Sequence, residues 1–516
     1  MRVIDFFDNG VVGYPGNHAF VDGKDVISYA DASVATHKVA HAIRAKSPAG
    51  AKVGILAPNS TEAFLVLLGA FRASCVWLPV NPRNSIDVNV DLLDRFECDV
   101  LFYHSNYVEN AKAISAAVYG IKEIVRIDTD SDVNGDLSDW FEGNNDPFPT
   151  DEWEMDDTMA IFPTGGTTGK SKGVMLTHRA IYTMFANFYA AFNYYDDTAH
   201  LVVAPMTHSA GLIGAMHFAR GGSNVMMREV VPEEILRNIQ QHKITHLFLP
   251  PTVLYILLAQ PKLKEFDYSS LRHFLVGAAP TSLEKLKEAI GVFGPVMSEA
   301  FGQSEAPAAI LAKAPWDYID ADGNINEDRL ASAGRPMALN QVGIMDDEGN
   351  LLPKGEAGEI VIKSDLVTPG YYKNPEKTAE VRKDGWHLTG DVGVMSDDGF
   401  VTIVDRKKDM IITGGFNVFP NEIEQVLMSH QAVQDCAIIG VPDEKWGEAV
   451  KGIVLLRPGS QATSEELQAL VKEKLGSVKT PKTIDFIEDL PRSPAGKVLK
   501  TELRKEFWKD AARGVN

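Results

Sequence analysis

Cysteine is scarce in this chain of 516 residues: only Cys75, Cys98 and Cys436 occur, widely spaced and odd in number. That spacing gives neither a disulfide framework nor a thiolate metal cluster, and a reducing cytoplasm is the expected setting. Basic charge is also short. Lys and Arg number 50 against 70 Asp and Glu, a formal net charge of −20, and the twelve acidic residues from Asp128 to Asp157 come without one Lys or Arg. A chain of that sign is a poor partner for nucleic acid. Apolar runs such as Ala63–Phe71 fall far short of the roughly 20 residues that span a bilayer, so no integral membrane segment is expected. The start, Met1-Arg2-Val3-Ile4-Asp5, carries an acid at once and lacks the apolar core of a secretory leader. The end, Arg513-Gly514-Val515-Asn516, is not a peroxisomal address. Asp130, Asp132, Asn134 and Gly135 imitate the start of a calcium loop, but Phe141 stands where its final glutamate is required.

What the chain does hold is apolar content for a large core, 45% of its residues, at a length that allows roughly three domains. From about Val53, β-rich runs alternate with amphipathic helical ones: Val53–Leu56, Thr61–Ala73 and Val76–Val80 read as a βαβ unit. The pattern recurs at Asp99–Tyr103, Met159–Pro163, His200–Pro205, Thr245–Leu249 and His273–Gly277, each followed by a helix-like stretch. Two β-like runs between Gln341 and Lys363 flank Asp346–Asn350, a hairpin turn that marks a small β subdomain. Past Arg406 a hairpin (Met410–Phe419), a helix from Glu422, strands near Asp435–Gly440 and Lys451–Leu456 and a helix near Ser464–Leu475 make a compact α+β unit. The expected fold is α/β: a large N-terminal domain, 1–405, of mostly parallel sheets flanked by helices plus the β subdomain, and a C-terminal α+β domain, 406–516.

The run Thr164-Gly165-Gly166-Thr167-Thr168-Gly169-Lys170-Ser171-Lys172-Gly173 is an obvious phosphate cradle. Glycines let backbone N–H groups converge on an anion, hydroxyls add donors, and lysines supply point charges. Its end imitates a P-loop, but that motif needs glycine where Thr164 stands. The loop follows the apolar run Met159–Phe162 and precedes a helix from about His178. It therefore sits at the end of a strand, where open α/β sheets bind ligands.

Downstream come Phe301-Gly302-Gln303-Ser304-Glu305, Tyr371-Tyr372, Trp386-His387-Leu388-Thr389-Gly390-Asp391, Asp405-Arg406-Lys407-Lys408-Asp409 and Pro491-Arg492-Ser493-Pro494-Ala495-Gly496-Lys497. In this order and spacing, and with the glycine loop, they resemble the adenylate-forming superfamily over nearly the whole chain. That superfamily comprises acyl- and aryl-CoA synthetases, peptide-synthetase adenylation domains and beetle luciferases.

The resemblance implies roles position by position. Thr164, Gly165, Gly166, Thr167, Thr168, Gly169, Lys170 and Lys172 hold the ATP phosphates. Glu305 holds Mg2+, with Thr164 as a second ligand, and Ser304 contacts the α-phosphate; a hard cation wants such oxygens. Phe301, in place of the usual tyrosine, lies with Gly302 and Gln303 against adenine, and Gly277, Ala278 and Ala279 form the opposite wall. Asp391 accepts from the ribose hydroxyls and Arg406 contacts the ribose and phosphate side. His208 gates the carboxylate site and is not expected to act as a base, because a carboxylate is already ionised near neutral pH. Lys497 bridges carboxylate and phosphate during adenylation, where a compact ammonium stabilises developing charge. Lys408 is the hinge of a mobile C-terminal lid, and Gly414 and Gly415 line the coenzyme A tunnel after rotation. Ser171 in place of a common proline, and Gly165 in place of a hydroxyl residue, leave the backbone cradle intact.

The implied function is an acyl-CoA ligase. ATP converts an apolar carboxylic acid, medium-chain fatty or aromatic, to acyl-AMP, and coenzyme A takes the acyl group. The other readings are a ligase that loads a carrier protein and a nucleotide-binding protein that has lost catalysis. Coenzyme A is favoured because the chain ends about twenty residues after Lys497 without an added carrier domain. Pocket positions are expected near Phe185–Asn187, His208–Leu212, Val276–Ala278 and Gln303–Ile310, with no charged partner for an amine. A homodimer is compatible with the sequence and not required by it.

Overall fold

The computed structural model describes residues 1–128, 146–164, 171–492 and 498–508; the calcium-like run from Asp130 to Phe141 therefore lies outside the described residues. The fold is the expected mixed α/β one. In a six-stranded sheet Lys52–Leu56 pairs in parallel with Val76–Val80 on one side and Val100–Tyr103 on the other. The helix Thr61–Arg72 crosses between the first two. Every residue of that helix except Glu62 is buried, which is why it reads as apolar all round. Ser60 caps its start by accepting from the Ala63 N–H at 3.2 Å.

A nine-stranded sheet carries the rest of the core. Ser223–Met226, Ala199–Val202, His246–Leu249, His273–Gly277 and Met297–Gln303 are successive parallel neighbours, and Ala306–Lys313 returns antiparallel along the last. Alternation divides their side chains between two cores. Leu201, Leu247, Phe274 and Val276 enter one, and Val202, Met226 and Leu275 enter the other, which also receives the inner face of the six-stranded sheet.

One expected alternation fails. Thr158–Thr164 is followed first by the antiparallel strand Lys172–Thr177, and only then by the helix His178–Ala191. Val174 and Leu176 take their register opposite Phe162 and Ala160, so the glycine loop joins two strands rather than a strand and a helix.

The β subdomain forms as expected. Gln341–Met345 pairs with Ala357–Lys363, which pairs with Trp386–Met395, which pairs with Val401–Arg406. The Asp346 carboxylate fixes the first turn by accepting from Gly349 and Asn350 N–H, both at 2.7 Å. The single turn Lys407–Asp409 leads to the hairpin Ile411–Thr413 and Phe416–Val418, the helix Pro420–Met428 and the long antiparallel pair Val433–Asp443 and Gly447–Leu456. The helix Ser464–Leu475 matches the expected one, whereas the edge strand Thr483–Ile487 and the helix Lys500–Trp508 add to the elements read from the sequence. All three cysteines are buried and free. Among the described residues no helix is long and apolar enough to cross a membrane.

Several histidines are buried uncharged. Burial pushes His200 and His273 down to about 4 and holds His217 and His246 well below the ordinary range. Burial, then the Arg382 charge, pushes His387 down to about 3. In the unfolded chain each takes a proton near pH 6.5, so below that pH the unfolded state binds more protons and stability is lost as pH falls toward the folded values. The melting temperature should therefore hold level above pH about 7 and drop steeply between about 6.5 and 4. A melting temperature independent of pH across that window would contradict the neutral burial of these rings.

Candidate active site

Three sheets carry the candidate residues: Thr164 and Lys172 end strands of the six-stranded sheet, Gly277 and Gln303 end strands of the nine-stranded one, and Asp391 and Arg406 lie on paired strands of the β subdomain. Glu305 sits in the turn between Met297–Gln303 and Ala306–Lys313. Its backbone carbonyl accepts from Thr368 N–H at 2.9 Å, and its Oε1 accepts from the Tyr371 hydroxyl at 2.6 Å. Burial, and then the Glu305 charge, raises the Tyr371 pKa, so the phenol stays a donor. The Tyr371 segment is laced to the strand leaving the glycine loop: Met175 N–H donates to Gly370 O at 3.0 Å and Tyr372 N–H to Gly173 O at 2.7 Å. Lys172 places its ammonium 4.7 Å from the Tyr371 ring centre. Across the same hairpin the Thr164 hydroxyl donates to Lys172 O at 3.3 Å. Thr164, Lys172, Tyr371 and Glu305 thus form one patch, while Gly165, Gly166, Thr167, Thr168, Gly169 and Lys170 lie outside the described residues.

Arg382 belongs to this patch and was not read from the sequence. Its Nη2 donates to Thr368 O, and its buried Nη1 has no hydrogen-bond partner among the described residues. Burial lowers its pKa against the opposing pull of Tyr371 and Glu305. Nothing local marks an arginine in the two-residue strand Arg382–Lys383; only pairing with Trp386–Met395 brings it here.

The same strand carries the second cluster. Asp391 and Arg406 are direct cross-strand partners, with Arg406 Nε 3.4 Å from Asp391 Oδ1. Gly390 takes a φ of +72° inside the strand Trp386–Met395, where the pairing with Ala357–Lys363 shifts register. Its N–H donates to Glu359 Oε1 at 2.9 Å, while Lys407 Nζ reaches Glu359 Oε2 at 3.1 Å. Glu359, also missed, therefore clamps the Thr-Gly-Asp bulge to the start of the segment holding Lys408. Gln303 donates its amide N–H to His387 Nε2 at 2.8 Å, which puts the imidazole proton on Nδ1. That contact gives Gln303 a positioning partner that its motif did not disclose.

Gly277 pairs with Ala300, so the 277–279 segment leaves the sheet beside 301–303, which continues its strand paired with Ala306–Lys313. Ala278 has a φ of +70°, a strained conformation for an alanine. A Cβ on Gly302 would lie 2.5 Å from the Ala308 backbone. His208 precedes the helix Ser209–Met216, with its Nδ1 3.2 Å from the Thr207 hydroxyl. Burial, then Arg83, lowers its pKa, so the ring is neutral. Buried Asn59 braces this approach: its Oδ1 accepts from Met206 N–H at 2.8 Å, and its Nδ2 lies 3.1 Å from Ala204 O and Met227 O.

Three expected pocket positions are corrected. Phe185 is core, packed edge-on against Phe6 at 4.8 Å. Asn187 is a buried tie that accepts from Leu339 N–H at 2.8 Å. Val276 points into the other core, because alternation gives that face to Leu275 and Gly277.

In the C-terminal unit Lys408 lies in the turn Lys407–Asp409, and Arg504 braces that turn by donating to Asp409 O at 3.1 Å. Gly414 and Gly415 form a hairpin tip with φ of +58° and +82°. A Cβ on Gly414 would lie 2.6 Å from the Trp446 ring. Lys497 lies outside the described residues; Arg492 and Val498, which flank its segment, pair as an isolated bridge.

The donor set suits Mg2+. Among the described residues no group of three or more His, Cys, Asp or Glu side chains could hold a metal by themselves. A magnesium site that borrows substrate phosphates needs only one or two carboxylates. Glu305 supplies one, with its Oε1 oriented by Tyr371.

Comparison with known proteins agrees with this geometry. Residues 7–372 match the family model for AMP-binding enzymes, and residues 422–497 match that for the AMP-binding enzyme C-terminal domain. A medium/long-chain-fatty-acid–CoA ligase of Mycobacterium tuberculosis is 35% identical over 480 residues, 90% of this chain and 83% of that protein. A feruloyl-CoA synthase of Amycolatopsis sp is 31% identical over 488 residues, 94% and 95% of the two chains. The structure of the amide bond synthetase McbA from Marinactinospora thermotolerans superposes with a TM-score of 0.89 at 28% identity, covering 98% of this chain and all of that one.

Tyr371→Phe removes the hydroxyl that orients Glu305 and leaves the ring beneath Lys172. Loss of a hydrogen bond to a charged group should lower kcat/KM for Mg-ATP about tenfold or more, with the melting temperature little changed. An unchanged kcat/KM would show that Glu305 needs no such orientation.

Proposed function

This chain belongs to the AMP-binding enzymes, and from that premise we propose that it activates an apolar carboxylic acid, fatty or aromatic, with ATP and transfers the acyl group to coenzyme A. The observation that carries the reading is the continuous patch from Thr164 and Lys172 through Tyr371 to Glu305, set beside the Asp391–Arg406 pair. The 2.8 Å contact of Gln303 with His387 joins the segment before Glu305 to the strand that bears Asp391.

A carboxylate is a poor acyl donor because oxide would have to leave. In the first step a carboxylate oxygen bonds to the α-phosphorus as the bond to the bridging oxygen of pyrophosphate breaks, giving acyl-AMP. Asp391 and Arg406 hold the ribose, and Gly277, Ala278 and Ala279 with Phe301, Gly302 and Gln303 flank the base. The glycine loop Thr164–Lys172 and Ser304 hold the phosphates. Neutral His208 stands at the carboxylate entrance without repelling protons or attracting anions of its own. Glu305 and Thr164 would hold Mg2+, which would supply positive charge against the phosphates. Lys497 bridges the reacting oxygens. In the second step the coenzyme A thiol gives up its proton, its sulfur bonds to the acyl carbon, and the C–O bond to AMP breaks.

Lys497 and the Gly414–Gly415 tip belong to the same C-terminal unit, 406–516, and serve different steps. Rotation about Lys408, just beyond the strand end at Arg406, exchanges one for the other. The buried free thiols fit a reducing cytoplasm.

Two assays divide the roles. Lys497→Ala should nearly abolish pyrophosphate release from acid and Mg-ATP yet spare thioester formation from supplied acyl-AMP; equal losses in both would refute the division. Wild-type enzyme should turn over repeatedly with coenzyme A on fatty or aromatic acids. Pyrophosphate release that stops at one equivalent despite coenzyme A would move the assignment to a carrier-protein ligase.

A further inference from the structure

Four histidines from distant parts of the chain meet at the end of the nine-stranded sheet opposite the glycine-rich edge. The parallel register sets His200, His246 and His273 side by side on three adjoining strands, with the last two ring centres 5.1 Å apart. His217, just past the helix Ser209–Met216, covers the row at 4.6 Å from His200 and 5.2 Å from His246. Polar side chains occupy one nitrogen of each ring in the row. Asn224 Oδ1 lies 2.9 Å from His200 Nδ1, the Thr245 hydroxyl 2.8 Å from His246 Nδ1, and the Ser298 hydroxyl 3.0 Å from His273 Nδ1. His217 differs: it is 2% exposed, and neither of its ring nitrogens has a hydrogen-bond partner among the described residues. A neutral imidazole carries one N–H and one lone pair, and an interior that leaves both unmet calls for an occupant. The rings enclose a cavity of about 10 Å³, the room for about one water-sized group.

The cavity lies in line with the acyl site. From His273 to Gly277 the strand rises four residues, about 13 Å. From His208 to His217 the helix rises nine residues, again about 13 Å. His273, Leu275 and Gly277 share one sheet face by alternation, as do His246 and Phe248. Phe248 connects the two ends. It lines the cavity with Ile213 and Leu275, is partly exposed, and lies 3.5 Å from where a Cβ on Gly277 would stand.

Resting on the acid-activating function above, we propose that this histidine-lined cavity is the floor of the acyl pocket. It selects acids that bear an uncharged hydrogen-bonding group, a hydroxyl or carbonyl oxygen, about 13 Å from the carboxylate. The body of such an acid is apolar, as Ile213, Phe248 and Leu275 require. Because the rings are buried uncharged, they offer donors and lone pairs but no counter-charge, and a second carboxylate is rejected. A wholly apolar acid reaching the floor displaces water and leaves His217 unpaired, which is how a polar site discriminates against the analogue that lacks the group.

The test measures kcat/KM with Mg-ATP and coenzyme A for saturated fatty acids from short to long, the same acids with a terminal hydroxyl or a penultimate ketone, and the matching dicarboxylic acids. At one chain length the hydroxyl or keto acid should exceed the plain acid by about tenfold or more. That ratio should fall to near one in His217→Phe and be largely kept in His217→Gln, with folding of each checked by its melting temperature. Should His217→Phe fail to fold, Phe248→Trp, which narrows the passage above the cavity, should lower the ratio instead. Equal rates for plain and substituted acids in the wild type would overturn the proposal and leave the ligase reading intact. A preference for dicarboxylic acids would overturn the uncharged assignment. Absence of turnover with every acid would overturn the function itself, and this inference with it.

Discussion

Parallel strands in hydrogen-bonded register must all finish at the same edge, and the rest of this structure depends on that constraint. Each parallel pair requires a crossover, so helices such as Thr61–Arg72 cover the sheets and the strands are buried on both faces. The strand ending at Gly277 stops level with Ala300, and its neighbour turns back after Gln303, so the connections that follow are free to carry chemistry. Alternation along the same strands decides which side chains enter which core. That is why Leu275 and Gly277 belong to the site's side of the sheet and Val276 does not.

Two carboxylates among the candidate-site segments are held in different ways, Glu305 in a turn of the nine-stranded sheet and Glu359 on a strand of the β subdomain. Glu305 is oriented by a neutral phenol at 2.6 Å, which leaves its charge available to a cation. Glu359 is engaged by the Gly390 N–H and the Lys407 ammonium, so its charge is spent on structure. Through Glu359 the bulge before Asp391 is bound to the residue beside Lys408. Under the proposed function, a movement of the C-terminal unit would therefore begin at a point already tied to Asp391. Beneath Glu305, fully buried Lys313 pairs with Glu299 at 2.6 Å and steadies the same hairpin.

Burying a row of neutral imidazoles is a poor way to gain stability, since apolar side chains would pack there without a polar group to satisfy. Asn224, Thr245 and Ser298 each meet one ring, and among the described residues His217 is met by none. Such an incomplete network in an otherwise apolar core is the kind of local inconsistency that marks a functional rather than a purely structural site.

Much of the fold, and the candidate residues from which the site reading starts, were legible in the sequence because their signals are local. Alternating apolar runs gave His273–Gly277 and its neighbours, turn chemistry gave the Asp346 hairpin, and the clustered glycines, hydroxyls and lysines of Thr164–Gly173 announced a phosphate site by composition alone. The strand Lys172–Thr177 escaped notice because its place depends on Phe162 and Ala160 across the hairpin. Arg382 and Glu359 carry no motif and gain their roles from cross-strand pairing. His200, His217, His246 and His273 are ordinary isolated histidines along the chain, and the register of three parallel strands joins them. The sequence by itself determined which chemistry the chain can perform, because side-chain type and local period are written residue by residue. Which side chains share a cavity was decided only by the tertiary structure, because that depends on register and packing between segments that are far apart in the chain.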